Sequence, residues 1–246
     1  MNKNAHYRKQ LDYYQKEFSA VSRYELAAWQ KSYIQRIKEY LLGNDFKNKT
    51  LLDIGAGSGY VAVELARYGV NVIACDMSEQ AIENLKKYKR QFSLKNLKLL
   101  VCKAEDIPLA DNSVDYVVVN ALLEHIIDEK KAIYKWKKVL RKEGKMLITV
   151  PLSLKYVWPF LWLINILYDK RLGHLRRYDL KSLKEKFRLK VFKVFYTGHL
   201  VKVLGVIFSE LIGTHRFDEF LEKQDSKKQD IQYGANNISV IFQNDK

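Results

Sequence analysis

The sequence predicts an α/β fold in which a seven-stranded, mostly parallel sheet carries helices on both faces. Three observations predict it. Short apolar segments alternate with longer segments of helical period, and a glycine-rich turn follows the first of them. The run Val114-Asp115-Tyr116-Val117-Val118-Val119 is also too apolar for a strand with one wet face. A length of 246 residues suits a single domain.

The first stretch, Tyr7 to Leu42, reads as helix, with Leu26, Trp29, Tyr33, Ile37 and Leu41 along one face, and forms an N-terminal cap over 1–44. Gly43-Asn44-Asp45 closes it, and strand–helix alternation begins. Thr50 to Ile54 is an apolar strand, Tyr60 to Tyr68 a helix and Asn71 to Cys75 the second strand. Ser78 is the N-cap of the next helix, with Glu79 and Gln80 in its first turn. Leu97 to Cys102 and Val114 to Val119 are further strands, Glu129 to Leu140 a helix, and Lys145 to Val150 a strand closed by Pro151. There the alternation breaks. Residues 45–151 form the core, and 152–180 an insertion over the carboxyl ends of the strands, where a lid or acceptor-binding cap would sit. In 181–246, strand patterns return at Leu189 to Tyr196 and Ile238 to Gln243, with the apolar helix Leu200 to Ile212 between them.

Composition narrows the setting without naming a function. A net charge of +15 allows nucleic acid, an anionic membrane surface or simply lysine-rich solvated faces, since the basic residues are spread along the chain. No apolar stretch follows Met1 to Lys9, so no signal peptide is expected. The two cysteines, Cys75 and Cys102, both fall in strands and are expected as buried thiols, which with the absent signal points to a cytoplasmic location.

The strongest local signal is Leu51-Leu52-Asp53-Ile54-Gly55-Ala56-Gly57-Ser58-Gly59. Glycines at alternate positions after a strand permit positive φ and the close approach of a ligand to backbone. Asp76, at the end of the second strand, is placed to accept both hydroxyls of a ribose. A dinucleotide site shares these features, but its third glycine falls where this chain has Tyr60, and Asp53 would repel a pyrophosphate. The same Asp53 suits an ammonium, held directly or through water.

Asp53 to Gly59 resembles motif I of class I methyltransferases that use S-adenosylmethionine, with its Rossmann-like sheet. Ala104-Glu105-Asp106-Ile107-Pro108-Leu109 with Asn112-Ser113-Val114-Asp115, then Leu123-Glu124-His125-Ile126, then Lys138 to Gly144, are similar to later blocks of that family. The similarity covers roughly Thr50 to Pro151 and is nearest to the branch holding ubiquinone and menaquinone biosynthesis methyltransferases. It implies that Gly55 and Gly57, with Ala56 and Gly59 in the same turn, line the methionine end. It places Asp76 on the ribose, Met77 against adenine, Ala104 and Glu105 at the adenine edge, and Asn120 beside the sulfonium. Lys103 departs from the pattern, which often has an acid there.

The reaction this resemblance implies is in-line methyl transfer to oxygen or carbon of a small or lipid-like acceptor, which needs a general base only if the acceptor loses a proton. His125 is the first candidate, with Glu124, His174 and also His199 behind it. Glu124-His125 matches part of a Glu-x-x-Glu-His metal pattern of quinone O-methyltransferases, but Ala121 replaces its first acid, and two ligands make a poor site, so no metal is expected. Gly173-His174-Leu175-Arg176-Arg177-Tyr178-Asp179 is similar to a G-H-x-R-R-[YF] element of the same branch; Arg176, Arg177 and Tyr178 are candidates for an anionic acceptor. Tyr156 to Tyr168 is too short to span a bilayer, which needs about 20 apolar residues. It reads as a packed lid or as an interfacial patch in which Trp158 and Trp162 meet an anionic membrane. Base-methylating enzymes usually carry [DNS]-P-P-[YFW] after the fourth strand, where this chain has Asn120-Ala121-Leu122-Leu123. Nucleic acid is therefore not the expected partner, and RNA or protein methylation is the alternative reading.

Overall fold

A seven-stranded sheet of order β3-β2-β1-β4-β5-β7-β6 organises the chain. The computed structural model describes residues 3–19, 24–44, 46–213 and 215–245. The strands are β1 (Thr50–Ile54), β2 (Asn71–Asp76), β3 (Leu97–Val101), β4 (Val114–Asn120), β5 (Leu140–Pro151), β6 (Lys190–Thr197) and β7 (Asn237–Gln243). β1 to β5 pair in parallel, and β7 runs antiparallel to both β5 and β6. Chain order reverses between β1 and β4, which opens a crevice at their carboxyl ends.

Burial on both faces explains the continuous apolar strands. Along β4, Val117 and Val119 enter one core with Trp136 and Phe187, while Tyr116 and Val118 enter the other with Ile37, Leu41 and Val63. The covering helices are α2 (Ala28–Arg36), α3 (Tyr60–Arg67), α4 (Glu79–Gln91), α5 (Glu129–Val139) and α7 (Leu180–Phe187). Polar side chains fix where several of them start. Ser78 accepts the Ala81 N–H at the head of α4, Asp128 that of Lys131 before α5, and Asp179 that of Ser182 before α7.

The expected N-terminal helices are α1 (Lys3–Ser19) and α2, which continues into a π-helical turn over Ile37–Leu42. Tyr24, in the non-helical residues 24–27 before α2, has its ring 4.9 Å from Tyr88 and 5.4 Å from Phe92 and its hydroxyl donating to Glu64. Tyr33, Ile37 and Leu41 are buried as expected, but Leu26 precedes the helix and Trp29 is exposed. β5 also starts earlier than its apolar pattern, because Leu140 pairs with Val114 before a bulge.

The insertion after β5 holds α6 (Trp162–Leu172), and a second excursion between β6 and β7 holds α8 (Leu200–Ile212) and α9 (Asp218–Ser226). No residue of α6 is buried. Among the described residues no helix is long and apolar enough to cross a membrane.

Candidate functional site

The glycine turn is stitched to the tip of β2. Gly55 and Ala56 donate their N–H groups to the Cys75 carbonyl at 2.8 and 3.0 Å, and Gly57 donates to Asp76 Oδ2 at 2.9 Å. Asp76 Oδ1 accepts from Ser78 N–H at 2.8 Å, so one carboxylate braces both the turn and the head of α4. Burial raises the Asp76 carboxyl above its usual range, against these amide donors. Gly55 has φ +70°, and a Cβ there would lie 2.8 Å from Leu122 Cδ2. At Gly59, φ +83°, a Cβ would meet Leu85 Cδ2 at 2.4 Å, so this glycine serves the packing of α4 on the turn.

A cavity of about 250 Å³ opens on this turn at the carboxyl edge of the sheet. Of the residues expected at a cofactor, Gly55, Ala56, Gly57, Asp76, Met77, Ala104, Glu105 and Asn120 line it; Asp53 and Gly59 do not. Asp53 lies behind the wall, 2% exposed, with Oδ2 lacking any hydrogen-bond partner. Burial, and secondarily Asp76, push its carboxyl up to about 7, while the Ala62 N–H at the head of α3 partly offsets them. A buried acceptor without a donor is what a cation bound over the turn would satisfy. Asn120 donates to the Tyr60 hydroxyl at 2.9 Å, which fixes its amide at the cavity wall. The donor set, the side-chain-free turn and the unpartnered carboxylate together fit S-adenosylmethionine.

The roof is α1. Tyr7, Gln10, Leu11 and Tyr14 line the cavity, one helical face at i, i+3, i+4 and i+7. The Tyr7 hydroxyl donates to Glu105 in a very short hydrogen bond, and Gln10 donates to the Leu172 carbonyl at 2.8 Å. Sequence reasoning missed this face although its spacing was legible. The lid expected over 152–180 contributes no lining residue. Cys75 and Cys102, both free thiols, lie on the cavity wall at adjacent strand ends.

Beyond Asn120 the wall becomes apolar at Ala121, Leu122 and Ile126, with His125 among them. The His125 ring meets the Tyr14 hydroxyl at 3.2 Å and the His174 ring edge-on at 4.8 Å between centroids. Burial, then His174 and His6, depress the imidazole to about 3, so it is neutral at physiological pH. Glu124, 1% exposed, is pushed up to about 8 by burial, with Asp169 adding and Arg177 opposing. His174 Nδ1 sits 2.7 Å from Asp169 Oδ1. His199 stands apart, clasped by Asp225 and the Ile231 carbonyl.

Arg176, Arg177 and Tyr178, expected at an anionic acceptor, do not line the cavity. Arg177 donates to both oxygens of Asp169, to Asn165 and to the Leu152 carbonyl. Arg176 donates to the Ile126 carbonyl and pairs with Glu129 at 3.2 Å. The buried Tyr178 hydroxyl donates to Glu129 and approaches the Leu123 carbonyl. Together they lash α6 and the turn Leu123–His125 to the sheet.

Residues 52–148 match a family model described as a methyltransferase domain. Over 126 residues the chain is 29% identical to the ubiquinone/menaquinone biosynthesis C-methyltransferase UbiE of Rickettsia typhi, covering 48% of each chain. The chain spans about half the length of the curated relatives it matches. A putative sarcosine dimethylglycine methyltransferase from Galdieria sulphuraria superposes with a TM-score of 0.61 at 20% identity, over 89% of this chain and 85% of that one. Geranyl diphosphate C-methyltransferase from Streptomyces coelicolor A3(2), solved with Mg2+, geranyl diphosphate and S-adenosyl-L-homocysteine, gives 0.65 at 16% identity, over 92% and 87%. At such identities the structural likeness shows the fold.

Proposed function

We propose, from the premise that residues 52–148 form a class I, S-adenosylmethionine-dependent methyltransferase domain, that this protein transfers a methyl group to oxygen or carbon of a small or lipid-like acceptor. One observation carries the reading: the glycine turn held by Asp76 at the floor of the cavity, over the buried Asp53 whose Oδ2 has no partner. S-adenosylmethionine, when bound, supplies a methyl group already attached to an excellent leaving group. The protein's work is alignment and exclusion of water.

Asp76 keeps lone pairs beyond its two backbone donors and can accept the ribose hydroxyls. Met77, Ala104 and Glu105 take the adenine end, and Asn120, oriented by Tyr60, faces the methyl donor. Asp53 attracts the ammonium from behind the turn, through water. The α1 roof keeps solvent out.

Leu11, Leu122 and Ile126 make the remaining wall apolar, with Tyr14 and His125 as its polar pair. Depressed to about 3, His125 is a weak base, which favours positioning the acceptor over taking its proton. Likenesses to a quinone-biosynthesis enzyme and to a protein solved with geranyl diphosphate support a hydrophobic acceptor. So does α6, where Leu163 is 67% exposed amid Phe160, Trp162, Ile164 and Leu167. With a net charge of +15 this surface suits an anionic membrane from which such an acceptor is drawn. Trp158 borders that surface, half-buried 4.9 Å from the Tyr233 ring and stacked 6.2 Å from the Phe160 ring.

Calorimetry tests the premise: micromolar binding of S-adenosylmethionine and its demethylated product is expected, and tight NADH binding in their place would overturn it. Cosedimentation with phosphatidylglycerol vesicles tests the membrane arm. Loss of binding in Leu163→Asp supports it; unchanged binding, or none in the parent, removes it.

A further inference from the structure

We propose that Glu124, His125 and His174 form a binding site for a divalent transition-metal ion of the zinc class. Each offers one ligand atom, and these atoms lie within 4.8 Å of one another. In the local sequence, Ala121 in place of an acid leaves Glu124 and His125 without a third ligand. Folding supplies it from a different place, fifty residues away at the end of α6, and no local spacing announces it.

Two of the three are buried, and each leaves one polar atom without a partner. Glu124 Oε2 and His125 Nδ1 are shielded from solvent and lack a hydrogen bond of good geometry, although the Gly173 carbonyl acts on the imidazole as an acceptor. Leaving two such atoms unmet in one place is costly, and a single cation meets both. His174 is prepared from outside. Its Nδ1–H donates to Asp169 at 2.7 Å, which leaves Nε2 with a free lone pair, the carboxylate–histidine arrangement that orients metal-binding imidazoles. Arg177 holds both Asp169 oxygens, at 2.6 and 3.0 Å, so the arginine charge is spent on Asp169 and not turned on the ion.

Two imidazole nitrogens and one carboxylate oxygen suit zinc, cobalt or iron(II) better than magnesium or calcium, which prefer all-oxygen shells. Three protein ligands leave one tetrahedral position for water or an acceptor oxygen, and His125 carries the site to the cavity wall. Any use of the ion in methyl transfer rests on the function proposed above; its binding does not.

The test is titration of untagged, chelator-treated full chain with Co2+, read by its visible d–d absorption, with Zn2+ competition and elemental analysis for stoichiometry. One ion per chain and a tetrahedral spectrum are expected. Glu124→Gln and His174→Gln should each weaken binding at least about tenfold, and Asp169→Asn by a similar or smaller factor. Affinity for S-adenosylhomocysteine, measured in parallel, reports whether each variant is folded. Substoichiometric binding to the parent, or parental affinity in both ligand variants, would show that buried water or nothing meets these atoms and would overturn the proposal.

Discussion

Asp76 at the tip of β2 accepts the backbone N–H of Gly57 at 2.9 Å, so the carboxylate proposed to take the ribose also holds the glycine turn of the cavity floor. Asp76→Ala should therefore lose both the ribose contact and the preformed turn. The expected cost is about 2–3 kcal/mol, on the order of 30- to 150-fold in S-adenosylhomocysteine affinity by calorimetry. Unchanged affinity would remove the ribose assignment.

Gly55→Ala places a Cβ 2.8 Å from Leu122 at φ +70°. A loss of about 1–3 kcal/mol in urea unfolding is expected. Combining it with Leu122→Ala should relieve the packing part of the new strain but not the backbone part, so a double-mutant cycle separates the two.

Asp53 gives a pH signature. Its folded carboxyl titrates near 7, above its ordinary value of 3.8, so between about pH 4 and 7 the folded state holds a proton that the unfolded chain has lost. This contribution to stability is present at low pH and is lost as pH rises to 7. Asp53→Asn should flatten that fall and make the free protein more stable at pH 8, by on the order of a few kcal/mol. In the parent, S-adenosylmethionine should bind more tightly as pH rises through 7; in the variant this dependence should vanish. Urea melts and calorimetry at pH 5, 7 and 8 read both.

Tyr7→Phe removes the hydroxyl that α1 gives to Glu105. A loss of about 1 kcal/mol, roughly fivefold in S-adenosylhomocysteine affinity, is expected, with faster hydrogen exchange along α1. Equal exchange in both proteins would mean that the roof does not depend on this contact.

Arg177→Ala tests brace against acceptor contact. It strips the guanidinium from the half-buried Asp169, which keeps the His174 ring, so a loss of about 2–4 kcal/mol in stability is expected, with cofactor affinity within about twofold of the parent. An intact melting temperature with a raised acceptor KM would return Arg177 to the acceptor.

The sheet, its order of elements and most residues of the cavity floor were legible in the chain alone, because they depend on local rules. Strand runs buried on both faces are apolar throughout, Ser78 caps α4 through its own hydroxyl, and a strand–glycine–helix turn needs residues without a Cβ where backbone packs closely. What tertiary structure alone decided is who meets whom across the carboxyl edge. Tyr7 to Tyr14 had a helical face but no local mark of what lies beneath it, and α1 became the roof in place of the expected insertion. Arg176 and Arg177 look like anion clamps until Asp169 and Glu129 are seen to occupy them, and His174 joins Glu124 and His125 only when α6 folds back. Local sequence encodes periodicity, turns and caps; contacts between distant segments follow from the global burial of surfaces, which a reading of neighbours along the chain does not contain.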